Sequence, residues 1–142
     1  MAMGGTNRRA MSSQPNPGNR VLVVAREAAT RSFIQRTLES VLLEVVTSSR
    51  FENAIAKLRS GPFGVLVVDP TMPSVDGVDF LREVGRRDPS LARRTVIVIE
   101  RGSSLLERLE AFPFSRRIDR PVVRQQLILA VSECLRESSE RP

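Results

Sequence analysis

Asp69 ends a run of apolar residues, Val65-Leu66-Val67-Val68, and is followed by Pro70-Thr71-Met72-Pro73-Ser74-Val75-Asp76-Gly77. A short, fully apolar run predicts a strand buried on both faces of a parallel sheet. Its last residue then emerges at the carboxyl end, where open α/β sheets place their chemistry. The Asp69 carboxylate therefore stands where a reactive group would stand. What it can do depends on which charged groups the neighbouring strands bring to the same edge.

The chain has 142 residues, of which 41% are hydrophobic, enough for one packed domain plus a tail. It contains no His, which removes the commonest general base and the commonest metal ligand. Cys134 is the one cysteine, so neither a disulfide framework nor a thiolate metal cage can form. A reducing cytoplasm is the simplest setting. No apolar run approaches membrane-span length, and residues 1–20 lack the apolar core of a signal peptide. The net charge is +6, and all but one of the 22 basic residues are Arg, Lys57 being the exception.

Residues 1–19 form a basic tail of Gly, Ser, Asn and Pro that cannot bury apolar surface and is expected to be disordered. Residues 20–137 are expected to form the domain, and 138–142 a short C-terminal tail. Arg20 to Ala25 reads as a first strand. Ala28 to Leu42 reads as a helix with Phe33, Ile34, Leu38 and Val41 inward. Leu43 to Thr47 is a second strand, and Phe51 to Leu58 a short helix ended by Ser60-Gly61-Pro62. Val65 to Asp69 is the third strand, and Val78 to Arg87 a helix. Thr95 to Ile99 is the fourth strand, followed by an amphipathic turn or two over Ser103 to Phe112. Arg117 to Asp119 is a fifth strand. Val122 to Arg136 is a last helix with Val123, Leu127, Ala130, Val131, Cys134 and Leu135 inward. Five alternations of apolar strand and helix imply a doubly wound parallel sheet, commonly in the order 2-1-3-4-5, with helices on both faces.

Val67-Val68-Asp69-Pro70-Thr71-Met72-Pro73-Ser74-Val75-Asp76-Gly77, with the strands at Arg20–Ala25 and Thr95–Ile99 and the pair Arg120-Pro121, resembles the receiver domain of bacterial response regulators. The resemblance covers residues 20 to about 137. It implies the flavodoxin-like sheet just described and two-component (phosphorelay) signal transduction. It also implies a site. In that family two acids after the first strand hold Mg²⁺, and an aspartate after the third accepts a phosphoryl group. A Thr or Ser after the fourth strand and a Lys before Pro after the fifth contact the phosphoryl oxygens. An aromatic residue three positions before that Lys reports the change.

Asp69 matches the phosphoacceptor. Ala25 and Arg26 replace the acid pair, although Glu27 fits the family pattern. Glu100 stands at the hydroxyl position, Arg120 at the Lys position and Arg117 at the aromatic position. The chain thus resembles an atypical member, a pseudo-receiver. Asp69, Glu100, Arg26 and Arg120 sum to zero charge, so no deficit is left for Mg²⁺, which prefers carboxylate and water oxygens. Two Arg could supply positive charge to a phosphoryl group without metal. Glu100 opposes that. The expected arrangement is an ion-pair network of Asp69 and Glu100 with Arg26 and Arg120, and no cofactor.

Leu105, Leu106, Leu109, Phe112 and Phe114 form an apolar cluster, core in part and, by the resemblance, a possible partner or homodimer face. Arg86-Arg87, Arg93-Arg94 and Arg116-Arg117 are expected at the sheet end opposite Asp69, as solvated charge or one basic patch. Asp76-Gly77 is expected in a turn, with Gly77 relieving backbone strain. Arg120-Pro121 is expected to be cis on the strength of the resemblance. Cys134 is expected to be a buried, inert thiol.

The expected function is a non-enzymatic, cytoplasmic, phosphorylation-independent protein-docking module. The alternative is a phosphoacceptor receiver working at Asp69 without the usual metal site. A nucleic-acid-binding role has no supporting motif. A nucleotide enzyme is discounted because Arg26-Glu27-Ala28-Ala29-Thr30 offers no glycine for a phosphate.

Overall fold

The computed structural model describes residues 17–70, 77–103, 107, 112 and 116–140. The tail before residue 17, Asp76, Leu105, Leu106, Leu109 and Phe114 lie outside them, as does most of the expected fourth helical segment. Five strands are described: β1 (Arg20–Val24), β2 (Glu44–Ser48), β3 (Val65–Val68), β4 (Thr95–Ile99) and β5 (Arg116–Asp119). The helices are α1 (Ala28–Glu39), α2 (Phe51–Ser60), α3 (Gly77–Arg87), α4 (Pro89–Arg93) and α5 (Arg124–Glu140). The strands pair in parallel in the order β2-β1-β3-β4-β5, as the alternation implies.

Period-two alternation splits the strand side chains into two cores. Leu22, Val24, Leu66, Val68, Ile97 and Ile99 face α2, α3 and α4, meeting Phe51, Ala54, Leu81, Val84 and Leu91. Phe51 and Phe80 stack there with centroids 4.7 Å apart. Val21, Val23, Val65, Val67, Val96, Val98 and Ile118 face α1 and α5, meeting Ile34, Leu38, Leu127, Val131 and Cys134. Each large side chain so buried contributes roughly 1.5–3 kcal/mol, which explains why the three central strands are apolar throughout except at the first residues of β1 and β4, Arg20 and Thr95. Thr95 turns its hydroxyl onto the Leu91 carbonyl at 2.9 Å.

Several expectations are corrected. The first helix stops at Glu39, because Leu42 takes a left-handed backbone (φ 68°) that ends helical bonding. Val41 and Val123 are therefore exposed instead of inward. The short helix α4 was not anticipated; Pro89 opens it and Asp88 caps it, accepting from the Leu91 N–H at 3.1 Å. The last helix starts at Arg124 and runs on to Glu140. Gly77 is needed for a different reason from the one expected. It starts α3, and a Cβ there would overlap the Pro70 carbonyl, so the constraint is close approach, not backbone conformation. Arg120-Pro121 is cis. Cys134 is buried. No described helix is long and apolar enough to cross a membrane.

Candidate functional site at the carboxyl edge of the sheet

Backbone bonds just beyond the strands align the site. The Ala25 N–H donates to the Ser48 carbonyl (3.1 Å), Asp69 to Val24 (2.9 Å) and Arg120 to Ile99 (3.1 Å). Ala25, Asp69 and Arg120 are thereby held at one edge, each one residue past its strand.

Asp69 is 3% exposed. Arg120 donates from Nη2 to Asp69 Oδ2 in a charge-assisted bond. The other arm, Nη1, lies 3.8 Å from Glu27 Oε1. Glu27 precedes α1 and accepts a 2.7 Å hydrogen bond from the Thr30 hydroxyl. Its carboxylate is 63% exposed, so its pull on Arg120 is screened to the scale of a surface pair, about 0–1 kcal/mol. Asp69 is the stronger partner because it is buried.

Glu27, Ala29, Thr30, Phe33, Glu100, Arg120, Pro121 and Val122 line a cleft of about 620 Å³. Arg120 lines this cleft and Asp69 does not. The guanidinium therefore stands between the buried carboxylate and the open space.

The expected four-membered network is corrected in two places. Arg26 is exposed and makes no ion pair among the described residues, because the chain has left the strand and turned its side chain outward. Glu100 is also exposed; it shares the cleft with Arg120 but pairs with neither Arg. Glu27 takes the place assigned to Arg26. Arg120 thus meets two acids, Asp69 behind it and Glu27 beside it, while Glu100 lines the same cleft without pairing.

Does Mg²⁺ fit these groups? A methyl occupies the position of one family acid, Ala25, and it is fully buried. Arg26 points away. Arg120 occupies Asp69 Oδ2. Among the described residues no three acidic, Cys or His side chains converge as a metal site. The donor set does not fit.

Two residues at this edge escaped the sequence reading. Arg31, one turn into α1, reaches back and donates from Nη1 to the carbonyls of Ala25 and Arg26, both at 3.0 Å. Asp119 ends β5 and holds Arg117 Nε at 3.3 Å and Arg101 Nη2 at 3.2 Å. Arg117, at the position of the family's aromatic residue, is thus tied to its own strand. Alternation along β5 was the available signal, since residues two apart share a face.

At the other sheet end the Arg doublets are largely engaged. Glu83 takes Arg86 Nη2 and Arg87 Nε, each at 2.6 Å. Arg94 donates to the Gly64 carbonyl at 2.8 Å and to Ser90. Arg116 pairs with Glu133 at 2.6 Å. The hydrogen bond from Arg86 does most to hold the Glu83 carboxyl below its usual range; desolvation opposes it, and the hydrogen bond from Arg87 and the charges of both Arg add to it. The hydrogen bond that Arg116 donates to Glu133 raises the Arg116 guanidinium further. Of the expected partner face only Phe112 is described, and it packs partly into the α2–α3 core.

Comparison with known proteins agrees with this architecture. The family model for the response regulator receiver domain matches residues 21–132. The hydrogenase transcriptional regulatory protein HoxA of Cupriavidus necator is 38% identical over 73 residues, 51% of this chain and 15% of HoxA. The chain therefore spans a small part of that relative. The CheY-like receiver domain protein of Methanospirillum hungatei has the same fold, with a TM-score of 0.78 at 20% identity over 86% of this chain and 97% of that one. The beryllofluoride-activated NtrC4 receiver domain dimer superposes with a TM-score of 0.73 at 23% identity, over 84% and 98% of the two chains. With its sheet order, its Asp69 at the carboxyl edge and this match over most of its length, the chain belongs to the response regulator receiver domain family.

Proposed function

We propose that this receiver domain of the two-component type works without phosphorylation, as a non-enzymatic, cytoplasmic protein-docking module that needs no cofactor. The chief support is the position of Arg120: it lines the cleft, bonds to Asp69 and separates that carboxylate from solvent. A phosphoryl donor must reach Asp69 through a guanidinium already bound there. Ala25 withholds a metal ligand, and Glu100 adds a like charge on the wall an incoming anion would pass. Arg120 holds the domain in one state by its resident contact with Asp69, doing the job that phosphorylation does elsewhere in the family. Protein partners fit this reading, and a second copy of the chain is one of them: the NtrC4 receiver domain is a dimer, and here the fourth-helix face would serve.

A specific observation favours the competing reading, a phosphoacceptor at Asp69. Glu27 and Glu100 line the cleft beside Arg120, which could swing from Asp69 to a phosphoryl oxygen. Intact mass after incubation with Mg²⁺ and acetyl phosphate separates the two, with Asp69→Asn as control. We expect no adduct. A phosphoryl adduct that disappears in Asp69→Asn would establish the phosphoacceptor instead.

A further inference from the structure

A second cavity lies at the opposite, amino end of the sheet. It encloses about 340 Å³ between the ends of α2 and α3, lined by Leu58, Arg59, Gly61, Pro62, Val84, Arg87 and Asp88. Its volume is at the lower end of that of ligand pockets, roughly 300–1,000 Å³.

Its charges are unevenly spent. Arg59 is exposed and makes no hydrogen bond or ion pair among the described residues. Arg87 gives only Nε to Glu83, which it shares with Arg86, so both terminal nitrogens of Arg87 remain available among the described residues. Asp88 is the one acid in the lining, and Oδ1 is already committed to the Leu91 N–H. Arg20 borders the cavity behind Gly61, where it donates to the Pro62 carbonyl at 3.2 Å and is balanced by Glu44. The surroundings are net positive, with two guanidinium groups facing the space.

Both arginines close helices, where the macrodipole favours cations. That explains why Arg stands there, and it leaves the forks unspent. Leu58, Pro62 and Val84 supply apolar walls beside them. A carboxylate on a short aliphatic stem meets both requirements, since guanidinium binds carboxylate in a bidentate fork. We propose that this cavity seats an acidic side chain of a partner protein, held by Arg59 and Arg87.

Nucleic acid fits less well. Phe63, the nearby aromatic, is buried under Arg20 at 4.5 Å and offers no stacking surface. The proposal gives a partner chemistry to the docking reading and rests on it for its purpose. Binding here and an adduct at Asp69 are separate measurements, so failure of one is distinguishable from failure of the other.

The test is fluorescence anisotropy of a labelled peptide, Glu-Leu-Glu-Glu-Leu-Glu, titrated with the full chain at low salt. Saturable binding is expected, weakened at least tenfold by Arg59→Glu and less by Arg59→Lys, which keeps charge but loses the fork. Arg26→Glu, the same charge change at the other sheet end, should leave binding unchanged. Absence of saturation overturns the proposal, as does equal weakening by Arg26→Glu or equal binding of a peptide with Lys for Glu. Tighter, Arg59-dependent binding of oligo(dT) would assign the cavity to nucleic acid instead.

Discussion

Arg120 and Asp69, 51 residues apart in sequence, meet as a charged pair in which the acid is nearly sealed and the base is partly open to the cleft. The asymmetry matters. The Asp69 carboxylate is buried against this guanidinium, whereas Arg120 can also turn to water or to Glu27.

Arg120→Gln should therefore cost more than Asp69→Asn. Breaking a fully buried pair costs about 3–5 kcal/mol. Arg120 is 24% exposed, so solvent returns part of that, and a loss of about 1–3 kcal/mol is expected. Urea unfolding should show a lower midpoint with unchanged slope. The double variant Asp69→Asn/Arg120→Gln should lose less than the two single changes combined, the mark of direct coupling. Additive losses would dissolve the pair as an energetic unit.

Restoring the family's acids should restore a response to metal. Ala25→Asp/Arg26→Asp is expected to gain thermal stability on addition of millimolar Mg²⁺, because binding to the native state alone raises stability by mass action. The unmodified chain is expected to show no shift beyond that given by NaCl of equal ionic strength. A saturable Mg²⁺ shift in the unmodified chain would contradict the misfit of its donor set.

Glu83 sets a pH dependence. Its folded carboxyl is held below its ordinary value near 4.5 by Arg86 and Arg87. A depressed folded value means that the unfolded chain binds the proton first. The stabilisation is then complete above the ordinary value and is lost as pH falls through it toward the folded one. The stability difference between the native chain and Glu83→Gln should be flat from pH 6 upward and shrink in acid. A difference that grows in acid would reverse the sign and refute the assignment.

Gly77→Ala should destabilise the domain by about 1–3 kcal/mol, the usual range for overpacking. The added methyl meets the Pro70 carbonyl, which is backbone and cannot swing aside. Leu42→Gly should act oppositely. The side chain is 89% exposed, so no burial is lost. Relief of a left-handed Leu, about 1–2 kcal/mol, exceeds the entropy of a new Gly, roughly 0.5–1 kcal/mol. A thermal midpoint higher by roughly 2–4 °C is expected.

The sheet was legible because Val21 to Val24, Val65 to Val68 and Val96 to Ile99 have no polar interruption, and their order followed from the alternation with helices. The position of Asp69 came with them. The side-chain directions in the loops did not. Arg26 and Glu27 are neighbours, and spacing alone cannot tell which turns toward Arg120; the start of α1 and the Thr30 hydroxyl decide it. The pairing of Glu83 with Arg86 and Arg87 was available from the i,i+3 and i,i+4 rule, and reading it would have reduced the expected basic patch. Leu42 could not be read as a helix terminator, since nothing in a Leu announces a left-handed backbone. The same apolar letters at Val41 and Val123 read as core, yet both lie just outside the helices that would have carried them inward.

Cys134 faces the α1–α5 core and is fully buried. The chain's one thiol is therefore shielded in the native fold and uncovered when α5 leaves the sheet. A thiol-reactive dye becomes a counter of opening events, its uptake reporting how often the domain breathes. The native surface is meanwhile chemically silent toward maleimides. Arg59→Cys, at the rim of the amino-end cavity, would create one addressable position on that blank, ready for a spin label or a crosslinker to capture whatever docks there.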